Sequence, residues 1–143
     1  DMHCDTLMCE LIENGKAGSV TRCPKFSVDV ERLVKAGALA QFFAIFMLRE
    51  QDYKEAHVPA KDYEDYIDGC VQIFERTLRE NPDTLARARN AGEIEQTEQR
   101  YMEKWKISSG ITTSESGHSA LPGIMRIVLD IPIPKIVRSW NRG

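Results

Sequence analysis

The stretch "ALAQFFAIFM", residues 38–47, constrains the fold more tightly than any other. It is almost continuously apolar, rich in aromatic residues, and interrupted by one polar side chain, Gln41. Such a run, without polar alternation, is expected of a strand buried on both faces of a parallel sheet. Parallel neighbours need long crossovers, usually helices, so the run argues for an α/β chain.

The flanking sequence supplies those helices. "DTLMCELIENG" reads as a short helix ending at Gly15, and "KAGSVTRCPKFS" as a loop. In "SVDVERLVKAG", Ser27 is the expected N-cap, with Asp29 and Glu31 in the first turn. Val30, Leu33 and Val34 form the apolar face, and Gly37 stops the helix. "REQDYKEAHVPAKD" reads as a charged loop. Beyond it Tyr63, Ile67, Cys70, Phe74 and Leu78 recur at helical spacing until "NPD" breaks the pattern. Asn90 and Glu93 stand in capping-box spacing and open a second helix, expected to run to about residue 105. "KISSGITTSE" then reads as a strand leading into the "SGHS" turn. In "ALPGIMRIVLDIPIPKIVRSWNRG", Pro122, Pro132 and Pro134 interrupt apolar sequence, so an edge strand or irregular structure is expected. The whole reads as one domain over 1–143, with a divergent or irregular tail at 122–143.

Bulk properties exclude several classes. The 143 residues are 42% hydrophobic and 29% charged, which is ordinary globular composition. A net charge of -3 offers no electrostatic footprint for nucleic acid, and no apolar run is long enough to span a bilayer. Four cysteines without a CxxC pair read as reduced thiols, so the expected location is cytoplasmic. The chain begins without an initiator Met, which leaves open a leader before residue 1.

The chemistry-bearing candidate stands at the start, in "DMHCDT". On a strand, alternate side chains share a face, so His3 and Asp5 project together while Cys4 points away. Imidazole and carboxylate are both zinc ligands, and catalytic groups gather at the C-terminal ends of strands in α/β barrels. Glu115 falls at the expected end of the 106–115 strand and is a candidate third ligand. His118 sits in the following turn, whereas His57 lies in the charged loop and reads as a solvated surface residue.

Four features taken in order resemble the membrane (renal) dipeptidase family: "DMHCDT", "VDVERLVKAG", "ALAQFFAIFM" and "ESGHSAL". That family has a His-x-Asp strand, an Asp-x-x-Arg helix followed by Gly, a Gln-Phe strand and a Glu-Gly-Gly-His-Ala-Leu turn. Here Ser116 replaces the first glycine of the turn and Ser119 precedes Ala120. The resemblance spans roughly residues 1 to 121. It implies a distorted (β/α)8 TIM barrel, of which this chain holds about three to four βα units, and a two-zinc hydrolase cleaving dipeptides. His3 and Asp5 would hold one ion, Glu115 would bridge both, and His118 would lie near substrate. Two further histidines and an aspartate complete the family's site on later strands. At most one zinc is therefore expected here, with catalysis by this chain alone incomplete. A partial barrel leaves Phe42, Phe43, Ile45 and Phe46 partly wet, which predicts self-association. Two other readings stay open: a non-catalytic relic or half-barrel that binds metal or a partner, and a small α/β interaction domain in which His3 and Asp5 are a terminal accident.

Overall fold

The structure is a computed structural model that describes residues 3–45, 49–109 and 126–129. The first paired residue is Cys4, which forms an isolated parallel bridge to Phe43. Helix α1, Thr6–Asn14, follows at once and ends at Gly15, whose φ of 65° is a left-handed value that glycine adopts without strain. A single 3-10 turn, Gly15–Ala17, leads into the loop expected from the sequence.

Helix α2, Val30–Lys35, is capped by Asp29 and not by Ser27. The Asp29 carboxylate accepts the Arg32 N–H at 2.8 Å, the Cys23 N–H at 3.0 Å and the Arg32 guanidinium at 2.9 Å. Ser27 is exposed and sits two residues too early to reach the first free amides of the helix. Arg32 also donates to the carbonyls of Cys23, Pro24 and Phe26, so one ion pair folds the preceding loop over the helix start.

Strand β1, Ala40–Phe42, is shorter than the apolar run that announces it. Gln41 and Phe43 are buried on one side, while Ala40 and Phe42 pack on the other. The 49–62 stretch is not a plain loop, because it contains helix α3, Glu50–Glu55. Local pairs offset its charge: Arg49 grips Asp52 with two hydrogen bonds of 2.7 and 2.9 Å, and Gln51 donates to Glu55 at 2.9 Å. Tyr53 anchors it through ring contacts with Tyr63 and Tyr66 and a hydroxyl bond to the Ala60 carbonyl.

Helix α4, Tyr63–Glu80, matches its sequence pattern and is capped by Asp62, which accepts from the Asp65 N–H. Strand β2, Leu85–Ala88, has no counterpart in the sequence reading. Helix α5, Ala91–Ser109, opens at the expected Asn90–Glu93 spacing: Asn90 accepts the Glu93 N–H at 3.0 Å, and Glu93 reaches back past the cap to accept the Arg89 N–H at 2.8 Å. The helix runs through Ser109, so residues 106–109 are helical where a strand was expected. The remainder of that stretch, 110–115, lies outside the described residues. Among the described residues no helix is long and apolar enough to cross a membrane.

Strand β3, Arg126–Leu129, pairs in parallel with both β1 and β2, giving the order β1-β3-β2. Ala40, Ile127 and Ala86 share one register row, and Phe42, Leu129 and Ala88 another. This segment of the tail is therefore neither an edge nor irregular. The prolines at 122 and 132 bracket it, which leaves every residue of the segment a backbone donor for the ladder.

The two crossovers run in opposite directions across this sheet. Right-handed connection then puts their helices on opposite faces. The side chains agree: Ile67, Cys70, Ile73 and Phe74 of α4 pack with Cys4, Phe43 and Leu85, whereas Ile94 and Tyr101 of α5 pack with Ala40, Phe42, Ala86 and Ala88. Phe43 is 4% exposed and meets the Phe74 ring at 6.5 Å, so it is dry, while Phe42 and Ile45 are half-buried. The order differs from that of a closed barrel, where strands neighbour in sequence and all helices lie outside.

Candidate metal centre

The site is built around Cys4. Its N–H donates to the Phe42 carbonyl at 3.1 Å and its carbonyl accepts the Ala44 N–H at 2.9 Å, which is the parallel bridge. The Cys4 side chain enters the core among Leu7, Phe43 and Phe74. Its neighbours His3 and Asp5 both reach solvent. Their side chains meet, with His3 Nε2 at 2.8 Å from Asp5 Oδ1. The juxtaposition expected from the His-x-Asp spacing is thus present, although it rests on one bridge residue and not on an extended strand.

Asp5 occupies the N-cap position of α1, yet its carboxylate makes no capping bond among the described residues. Its backbone carbonyl accepts the Cys9 N–H as the first helical bond. The carboxylate is thus committed to the His3 side and not to the helix start.

Three cysteine thiols of the fold are raised above their ordinary value. Burial pushes the Cys4 thiol up, the Asp5 charge adds to it, and hydrogen bonds from Thr6 oppose it. Burial raises Cys9 in the same way, again with help from Asp5. Cys70 is pushed up to about 11 by burial. The imidazole and carboxylate are the solvent-reaching donors of the site, whereas Cys4 is buried. Both are of the type zinc accepts. Among the described residues no cluster of three or more His, Cys, Asp or Glu forms around them. Glu115 and His118 lie outside the described residues.

His57 is not part of the site. It sits in the α3–α4 turn with φ of 51°, exposed, its Nδ1 at 2.7 Å from the Glu55 carbonyl. Two buried carboxylates were not singled out from sequence for burial, and both are structural. Glu10, 4% exposed, accepts from Asn14 at 2.9 Å, from the Ser19 N–H at 3.1 Å and from the Cys23 thiol at 3.5 Å. Asp29 is the loop clamp described above. Gln41 is completely buried, and its Nε2 donates to the Phe42 carbonyl at 2.9 Å. A polar residue alone in an apolar strand was the available signal for it. Comparison with family models, with curated proteins and with solved structures finds no match to the chain.

Proposed function

We propose that the chain is the N-terminal part of a zinc-dependent metallo-dipeptidase with a distorted (β/α)8 barrel. In this reading His3 and Asp5 hold the metal, Glu115 supplies a further ligand and His118 contacts a dipeptide substrate. The observation that carries the proposal is the 2.8 Å pairing of His3 with Asp5 on the solvent side of a buried bridge. Zinc, when bound, supplies Lewis acidity and a lowered water pKa for amide hydrolysis. The chain's own contribution is to present one nitrogen and one oxygen donor from a backbone held at Cys4. The complement is at most one zinc per chain, and turnover by this chain alone is slow. The location is cytoplasmic, nucleic acid is not a partner, and copies of the chain self-associate. The barrel resemblance covers residues 1–121 and so does not include β3.

Zinc titration of the full chain with elemental analysis, followed by dipeptide hydrolysis with and without chelator, tests this. One weakly held ion, lost in His3→Ala, Asp5→Ala and Glu115→Ala, is the expected result. Unchanged binding in all three variants would remove the metal site. Two tightly held ions, or fast chelator-sensitive turnover, would show the site to be complete.

A second reading, a non-catalytic metal-binding or interaction domain, is favoured by the sheet itself. Helices on both faces and the order β1-β3-β2 suit a small open α/β domain, whereas a barrel keeps its helices outside and its strands in sequence order. Metal binding through His3 and Asp5 without any dipeptide turnover distinguishes it.

A further inference from the structure

The Gln41 carboxamide is 0% exposed, in the middle of β1, and its Oε1 has no hydrogen-bond partner among the described residues. A leucine there would fill the same layer without leaving a buried acceptor unpaired. The polar end is useful where it points. Gln41 Nε2 donates to the Phe42 carbonyl at 2.9 Å, and that same carbonyl accepts the Cys4 N–H at 3.1 Å. Gln41 therefore shares the acceptor of Cys4, the residue that, among the described residues, pairs the N-terminal segment to the sheet.

We infer that Gln41 is a positioning residue for the His3–Asp5 pair: it braces the Phe42 carbonyl and the Cys4 bridge, and so holds the two donors in register. The inference rests on the metal reading proposed above. A segment paired to the sheet through a single bridge opens more easily than one held in an extended ladder. Fixing the carbonyl that closes the bridge limits that opening, and the direction in which His3 and Asp5 leave the backbone is set with it. Outer partners of metal ligands act in this way, by orientation and not by contact with the ion.

The test uses the full chain with Gln41→Met and Gln41→Leu, and Co2+ alone as the probe, read by its visible absorption. Met matches the length of the side chain and removes the unpaired acceptor, so the thermal midpoint of Gln41→Met is expected at or above that of the parent. Its Co2+ dissociation constant is expected to rise about tenfold, the lower end for loss of an outer partner, with faster amide exchange at Cys4. Gln41→Leu is expected to do the same. Unchanged Co2+ affinity and unchanged Cys4 exchange in a folded variant would overturn the inference. Should the parent chain bind no Co2+, the metal reading fails by itself. The exchange rate at Cys4 then still decides the brace: acceleration in Gln41→Met supports it, and an unchanged rate overturns it.

Discussion

The two faces of the sheet are not equally built. On one, α1 and α4 close over Cys4, Phe43 and Leu85, with Leu11, Cys70 and Ile73 fully buried. On the other, α5 closes over Ala40, Phe42 and Ala86, and Ala88 is the fully buried member among the described residues. The thick face also carries the buried polar ties, Glu10 to the 18–23 loop and Asp29 to Arg32. His3 and Asp5, on either side of Cys4, lie outside both clusters and reach solvent. The lesson is a division of labour, in which packing and buried polar ties are concentrated on one face while the donor pair sits at the surface.

The largest effect that would test this contrast is truncation of the thick face. Leu11→Ala or Ile73→Ala removes a side chain that is 0% exposed and is expected to cost about 2–5 kcal/mol. Ile94→Ala on the half-buried α5 side is expected to cost at most roughly 1 kcal/mol. Denaturant unfolding measures both, and equal losses would show the two faces to be equivalent.

Glycines offer a finer comparison. A Cβ at Gly18 would stand 2.5 Å from Glu10 Oε1 and 2.7 Å from its Cγ, so Gly18→Ala must displace a buried carboxylate. The expected loss is about 1–3 kcal/mol, as for other overpacked sites. At Gly92 the nearest atom to a Cβ is Asn90 Oδ1 at 3.3 Å, in the first turn of α5. There the gain in helix propensity, roughly 0.5–1 kcal/mol, offsets the contact, and the measured change is expected to be near zero.

The thick face also predicts an alkaline limit. Burial raises Cys70 from 9.0 to about 11, and Cys23 to about 12 with the charge of Glu10 adding to it. In the unfolded chain these thiols lose their protons near 9.0, whereas the folded chain holds them to higher pH. Their contribution is therefore complete below pH 9 and is lost as pH rises through 11 to 12. Thermal midpoints across this window should fall, and a flat profile would show that the thiols are already accessible in the native chain.

Much of this fold was legible in the sequence where one interaction type dominated. The α4 periodicity, the Asn90–Glu93 cap and the glycine stop after α1 act locally and depend on few long-range contacts. The misses have a common cause. Asp29 displaced Ser27 as cap because it also satisfies Cys23 and Arg32, and α3 formed because Tyr53 found an aromatic pocket. The strand Leu85–Ala88 is short and half alanine, so no β-propensity marks it, and it exists through its pairing with β3. Of the site, the spacing of His3 and Asp5 gave their meeting. The support from Cys4 and Gln41 required the bridge to Phe43, a contact across some forty positions of chain.

The smallest effect on stability belongs to the site itself. His3→Ala or Asp5→Ala removes an exposed pair and is expected to change stability by less than about 1 kcal/mol. That leaves both variants folded for the measurement that bears most directly on the account: ring-nitrogen NMR shifts of the histidines during zinc addition to the full chain. The account predicts that the His3 ring shifts at substoichiometric zinc, that the His57 ring does not, and that Asp5→Ala abolishes the His3 response. A His3 ring unmoved by zinc, or a response undiminished in Asp5→Ala, would contradict it.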